Sequence, residues 1–291
     1  MKLLNIYNKK RIIYTFSRDE KGNQIVKKDS NFFPFFYEPD KDGNFKGYDG
    51  TPLKRIYVEE PYDVYNARSD DSFSADIKYT SNYMVHKVDK IEECITKYIF
   101  IDIEVLAKEF PEPSKAKYPI SCISAWDSFS KKINTWSLKT VDSEKEDILK
   151  PFMEYLAKEK PDIILAWNVS FDYIYLFNRY KHFKINFPKN ISPIREVRLG
   201  EERDIFYPAG ISVVDYLRLF KKVKMRDASY ALDYIGEKHL KRGKKYKNPY
   251  FGSINEEVVL RNRDDVDMLV ALEEKFKLLP YYDEIRRMSK V

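Results

Sequence analysis

The chain has 291 residues, 43% of them hydrophobic and 15% aromatic, and a formal net charge of +6. That apolar content supports one large domain or two ordinary ones, and the mild basic excess suits a phosphate-bearing partner without requiring one. The only cysteines, Cys94 and Cys122, exclude a disulfide framework and a Cys/His zinc pattern, and no segment approaches a membrane span, so the expectation is a soluble cytoplasmic protein with no membrane partner.

Residues 1–97 read as a strand-rich α+β lobe. Arg11 to Ser17 forms a strand, Asp19-Glu20-Lys21-Gly22-Asn23 a turn, and Gln24 to Lys28 the return strand. Asn31 to Tyr37 is strongly aromatic and interrupted by Pro34, which suits an edge strand or a bend. Asp40 to Gly50 is a polar loop. The basic pair Lys54-Arg55, beside Tyr57, is either a solvated surface or a nucleic-acid contact.

Tyr98 to Val105, YIFIDIEV, reads as a buried strand that carries two acids. Asp102 and Glu104 stand two residues apart, so they share one face of the strand, roughly 6.5–7 Å apart along the backbone. Two carboxylates on an apolar strand call for a cation, and Mg²⁺ or Mn²⁺ is the natural choice for carboxylate oxygens. The competing reading is an edge strand whose acidic face looks at water.

A proline-stiffened loop follows at Phe110 to Ser114, then strands over Ile120 to Trp126 and Lys132 to Leu138 and a helical apolar stripe over Val141 to Lys158. Pro161 to Trp167 is a further buried strand that leads into a helix over about Phe171 to Tyr180, capped by Asn168 or Ser170. Asp172 falls in that helix's first turn, where it either complements the helix dipole or serves as a ligand. Arg195 to Ala209 suggests a β-hairpin around Leu199-Gly200-Glu201-Glu202, Ile211 to Asp215 a strand, and Ser229 to Ile235 the start of a helix. The basic loop His239 to Lys247 is either a phosphate contact or a solvated segment. A helix over about Asn255 to Leu278 places Val258, Leu269, Leu272 and Phe276 on one face with Asp265 in its middle, while Asp264 and Asp267 project away. Arg261, one turn before Asp265, offers a simple ion pair as the competing account of that acid.

With these acids in order, the chain resembles the amino-terminal and 3′→5′ exonuclease regions of family B DNA polymerases, most closely the T-even-phage type. Asp102-Ile103-Glu104 matches the family's first exonuclease motif, Asn168 to Asp172 the second, and Asp265 the acid of the third, Tyr-x-x-x-Asp. The collinear segments 110–117, Ile211 to Tyr216 and Ser229 to Ile235 extend the likeness. The resemblance implies a small amino-terminal domain over 1–97 and, over 98–291, an α/β RNase H-like domain of the DEDD type, a mixed sheet flanked by helices. It further implies that Asp102, Glu104, Asp172 and Asp265 hold two Mg²⁺ or Mn²⁺ ions, and that Asn168 and Phe171 shape a cleft for single-stranded or frayed 3′ DNA ends. The 195–209 hairpin falls where the family separates primer from template, and a viral chain of this kind would act in its host's cytoplasm.

Two features depart from the pattern. Arg261 stands where the third motif has its Tyr, so it becomes a candidate contact for the scissile phosphate, and the expected hydrolysis is reduced. The palm, fingers and thumb segments are absent from these residues. The expectation is therefore a fragment or one half of a split polymerase, without synthesis of its own. A polymerase-domain chain or C-terminal part, and a sliding clamp, are its implied partners. The alternative function is a catalytically weakened nucleic-acid-binding or docking subunit.

Overall fold

Period-two patterning early in the chain and helical stripes later give two compact units, one built from Met1–Ile95 with the chain from Glu284 onward, the other from Thr96–Asp283. The computed structural model describes residues 1–200, 204–223, 226–246 and 250–290; Glu201 and Glu202 of the hairpin tip and Lys247 of the basic loop lie outside them.

In the first unit β1 (Asn5–Lys9), β2 (Ile12–Arg18) and β3 (Gln24–Asp29) make an antiparallel meander. The turn between β2 and β3 closes on Asp19, whose Oδ1 accepts from the backbone N–H groups of Lys21 and Asn23 at 2.9 and 2.8 Å. A second sheet has the order β4 (Phe35–Pro39), then β6, then β5, where β5 is Phe45–Lys46 and β6 is Pro52–Tyr57, so the aromatic run does supply an edge strand. Helices α1 (Asp63–Ala67) and α2 (Tyr79–Lys87) follow, and Leu3, Ile13, Phe32, Phe35, Tyr83 and Met84 form the core. Arg55 is half-buried and engages the aromatic side chains around it. Its guanidinium carbon sits 4.4 Å from the Phe35 ring and 4.5 Å from the Phe45 ring, and it donates to the Tyr37 and Tyr57 hydroxyls at 2.8 and 3.2 Å. Lys54 is exposed.

The second unit is organised on β7 (Tyr98–Val105). β8 (Ile120–Asp127) and β9 (Lys132–Ser137) continue antiparallel from it, while β10 (Ile163–Ala166) and β13 (Ser212–Asp215) lie parallel on its other side. The right-handed logic of a parallel return needs a crossover between β9 and β10, and α3 (Lys150–Glu159) supplies it. The single helix expected over 141–158 is instead a short 3₁₀ turn at Val141–Ser143, a wide π turn at Lys145–Leu149, and α3. Pro151, at the start of α3, lacks the N–H that would close on Asp147 and crowds that carbonyl, so the preceding turn opens. The remaining elements are α4 (Val169–His182), α5 (Phe187–Ile191), the β11–β12 hairpin (Val197–Leu199 with Phe206–Pro208), α6 (Tyr216–Val223), α7 (Leu232–Ile235), α8 (Glu256–Phe276) and α9 (Leu278–Ser289).

Strand alternation sorts β7 between two cores. Ile99, Ile101, Ile103 and Val105 pack with Phe152, Leu156 and the α4 residues Tyr173 and Leu176. Phe100 packs on the other side with Tyr216, Phe220 and the α8 residues Val266 and Leu269. Asp102 and Glu104 have the parity of Phe100, so the strand directs them to the α8 side of the sheet.

A buried ion pair braces the α4 side. Arg179 Nε donates to Glu144 Oε1 at 3.0 Å, a second guanidinium N–H donates to Glu144 Oε2, and Nη1 donates to the Ala116 carbonyl at 3.0 Å. Glu144 Oε1 also accepts from the Ile120 N–H at 2.8 Å, so one carboxylate ties α4 to the start of β8. Removing one member leaves a buried, unpaired charge. Glu144→Ala is therefore expected to lose about 3–5 kcal/mol in urea unfolding, and the double change Glu144→Leu with Arg179→Met to regain most of it. A loss under about 1 kcal/mol for the single change contradicts the brace.

Candidate metal centre

Three elements converge where β7 ends. A β-bulge interrupts the β7–β8 register between Glu104 and Val105, at the last acid of the strand. Helix α8 is capped by Asn255, whose side chain accepts from the Glu257 N–H at 2.8 Å, and its apolar face packs beside β7. Helix α4 begins directly after β10 and brings Asp172 in its first turn.

One carboxylate oxygen from each of Asp102, Glu104 and Asp265 lies within 4.8 Å of the others. Asp172 lines the same cleft of about 470 Å³, although its Oδ1 accepts from the Ile103 N–H at 3.2 Å and it stands outside that tight trio. Asp265 is buried, and its Oδ1 has no hydrogen-bond partner. Its Oδ2 is met by the Lys244 ammonium at 2.6 Å and by Arg261 Nε at 3.6 Å. Arg261 also donates from Nη1 to the Tyr246 carbonyl at 2.7 Å, so the ion pair expected between Arg261 and Asp265 is present, braced by a loop.

Asn168 occupies the N-cap position of α4, but its side chain does not cap the backbone; its Oδ1 accepts from the Ser170 hydroxyl at 2.8 Å. Phe171 faces the cleft, with the Phe110 ring 5.1 Å away, and Phe110 is 84% exposed. The mouth of the cleft is thus aromatic on one flank and acidic at its floor.

The electrostatics follow from crowding. Burial first, and then Asp265, Asp172 and Glu104, push Asp102 well above the ordinary carboxylate range. Burial and Asp265 push Glu104 up to about 8, against the opposing pull of Arg261 and Lys244. Burial raises Asp172 to about 7 despite the Ile103 N–H. Burial also raises Asp265, which Lys244 and Arg261 hold back.

Four partners of the acids were not legible in the sequence pattern. The basic loop folds back antiparallel along α8: Arg242 meets Asp267 at 2.7 Å, Lys244 meets Asp265 at 2.6 Å, and the Lys245 N–H meets Asp264 at 3.0 Å. Asp264, expected to project away and need no partner, is therefore buried under that loop, because a helical wheel registers the α8 core face and not a covering loop. Asn262 is fully buried and donates from Nδ2 to Asp102 Oδ2 at 2.7 Å. The signal for the loop was present as two basic pairs, Lys241-Arg242 and Lys244-Lys245, flanking Gly243 ahead of an acidic helix. Nothing in the pattern singled out Asn262.

This donor set fits Mg²⁺ or Mn²⁺. Mg²⁺ takes oxygen ligands at about 2.0–2.1 Å, and the site offers clustered carboxylates with one buried oxygen left without a partner.

The sequence matches the profile of the DNA polymerase family B exonuclease domain over residues 53–235. A DNA-directed DNA polymerase of Escherichia phage RB69 is 32% identical over 228 residues, 62% of this chain and 25% of that protein. Its counterpart from enterobacteria phage T4 is 26% identical over 271 residues, 75% of this chain and 28% of that protein. The solved structure of the family B DNA polymerase from the archaeon Pyrobaculum calidifontis shares the fold, with a TM-score of 0.77 at 18% identity, covering 97% of this chain and 46% of that one. The chain thus spans about a quarter of the length of the phage relatives it matches. With the profile covering more than half of the sequence, the chain belongs to DNA polymerase family B, in the family of its exonuclease domain.

Proposed function

We propose that this chain is the proofreading part of a family B DNA polymerase, a divalent-metal-dependent 3′→5′ exonuclease that releases deoxynucleoside monophosphates from single-stranded or frayed DNA. The observation that carries the reading is the meeting of Asp102, Glu104 and Asp265 in one cleft with Asp172. Two Mg²⁺ or Mn²⁺ ions, held by these four acids, would supply a nucleophilic water and stabilise the attacking and leaving oxygens of an in-line displacement when bound. The protein's own part is to present the carboxylates deprotonated and to hold the strand end. Lys244 and Arg261 offset the negative charge at Asp265. Phe171 and Phe110 offer ring faces on which a terminal base stacks, and Asn168 stands exposed at the same edge as a polar contact for the strand.

In this reading residues 1–97 are the amino-terminal domain of the polymerase and 98–291 the exonuclease domain. The β11–β12 hairpin helps part primer from template. Polymerase domains, supplied in the same polypeptide or by another chain, and a sliding clamp complete the assembly, which works in the cytoplasm of the cell or of a viral host. A second reading, a catalytically weakened nucleic-acid-binding or docking subunit, is favoured by one observation. Two cations, one of them at the position of the motif's Tyr, already sit on Asp265.

The two readings separate on 3′-labelled single-stranded DNA with Mg²⁺ or Mn²⁺. Nucleotide release that falls more than about 100-fold in Asp102→Ala supports the enzyme, since even partners of metal ligands are worth 10–100-fold. No release, with the variant indistinguishable from the parent, leaves the docking subunit. Because a guanidinium donates and never accepts a proton, Arg261→Tyr is expected to raise hydrolysis by about tenfold, short of the roughly 10²–10⁴ that a well-placed proton-transfer group supplies. A fall instead gives Arg261 a catalytic role of its own.

The raised carboxylates also set a pH dependence. Glu104 and Asp172 titrate near 8 and 7 in the folded chain but near about 4 when unfolded. Between those values the folded state binds more protons than the unfolded one, so the stability of the metal-free protein falls as pH rises from about 4 to about 8. Saturating Mn²⁺ replaces those protons and flattens the fall. Urea unfolding in EDTA at several pH values checks this, and a stability that rises across the window refutes it.

A further inference from the structure

Asn262 is a buried polar side chain on the inner face of α8 that the chemistry above leaves unused. It stands three residues before Asp265, on the same side of the helix, and its neighbours along that face are Val258, Val266 and Leu269. It is completely buried. A buried amide ordinarily satisfies both ends, and an unsatisfied end calls for an explanation. Here only one end is satisfied: Nδ2 donates to Asp102 Oδ2 at 2.7 Å, and Oδ1 has no partner. A leucine would fill the space without stranding an oxygen. What the amide adds is a single N–H that reaches the first acid of the central strand.

The character of that donor distinguishes it from the others. Asp265 is met by an ammonium and a guanidinium, each of which brings positive charge that competes with a metal ion for the oxygen. Asp102 is met by a neutral group, which fixes the rotation of the carboxylate and takes one of its about four lone-pair sites, leaving the rest for ligation. Burial and the charges of Asp265, Asp172 and Glu104 all bear on Asp102. Left unanchored, it would turn away from three like charges.

We propose that Asn262 is a positioning residue that holds Asp102 in the orientation in which it ligates a divalent ion. The proposal rests on the exonuclease reading of the site and concerns a residue outside its four acids. Donors of this kind, which orient a metal ligand without touching the metal, are worth about 10–100-fold in affinity. In the full chain, Asn262→Leu is expected to weaken Mn²⁺ binding, followed by the electron paramagnetic resonance of the free ion, by about 10–100-fold, while the urea midpoint in EDTA stays near that of the parent. A purely structural amide gives the opposite pattern, a lowered midpoint with Mn²⁺ affinity unchanged, and that result overturns the proposal. Should Asn262→Leu not fold, the parent protein decides. The side-chain amide resonance of Asn262 shifts on saturation with Mg²⁺ if its acceptor is a metal ligand, and a resonance that does not move overturns the assignment. A parent chain that takes up no Mn²⁺ at all overturns the metal-dependent reading and this one together, whereas parent binding with Asn262→Leu unchanged overturns this one alone.

Discussion

Repulsion among carboxylates at the end of a central strand is the constraint around which the second unit is built. At separations within 4.8 Å and an effective dielectric of about 20, each pair of ionised groups repels by roughly 3 kcal/mol or more. Burial adds to this, since it disfavours every charge it encloses. A strand with Asp102 and Glu104 on one face would be better off with water on that face, yet the same parity carries Phe100 into a core with α8. The sheet therefore commits its acids to a partly enclosed place, and the surrounding elements supply positive charge and N–H donors to meet them.

Those donors come from three directions. The backbone of β7 itself gives Asp172 the Ile103 N–H. Helix α8 gives Asp102 the Asn262 amide and Asp265 the Arg261 guanidinium. The basic loop gives Asp265 its ammonium. For that loop to lie along α8, the chain must approach the helix closely at Gly236, where an added Cβ would stand 2.5 Å from Met268 Sδ and 2.7 Å from the Arg242 carbonyl oxygen. A glycine there is what allows Arg242, Lys244 and Lys245 to descend the helix in step with Asp267, Asp265 and Asp264.

What could be read from the sequence was whatever rests on local periodicity. The bounds of β7, its two same-face acids, the strand-to-helix step before Asp172 and the place of Asp265 on a helical face all follow from spacings of two or 3.6 residues, and the structure shows each of them. What could not be read rests on pairing between distant segments. Asn262 reaches Asp102 across 160 positions, Arg55 finds its ring partners on two other strands of the first unit, and the cover over Asp264 belongs to a loop whose charges looked equally suited to solvent. The interrupted helix over 141–158 is a different kind of case. The apolar stripe was correctly periodic, but Pro151 governs the hydrogen bonds rather than the stripe, and a widened turn keeps the same residues buried.

The position of Arg261 shows how a departure from the family motif is accommodated. One arm of the guanidinium is committed to the Tyr246 carbonyl at 2.7 Å, and its Nε stands 3.6 Å from Asp265, a full ångström beyond the Lys244 contact. Arg261 is thus a brace between loop and helix, and Lys244 is the principal counter-ion. The distinction matters because the two cations differ in what they can surrender. A lysine ammonium is a compact charge on a flexible four-carbon stem and can leave an oxygen to a divalent ion by rotation of that stem. A planar guanidinium held at a second point moves only with the loop it holds. Neither cation can accept a hydrogen bond from water. Of the four acids, Glu104 stands at the bulged end of β7, and among the described residues its carboxylate has no hydrogen-bond donor matching those of Asp102, Asp172 and Asp265, so it is the acid the fold holds least tightly.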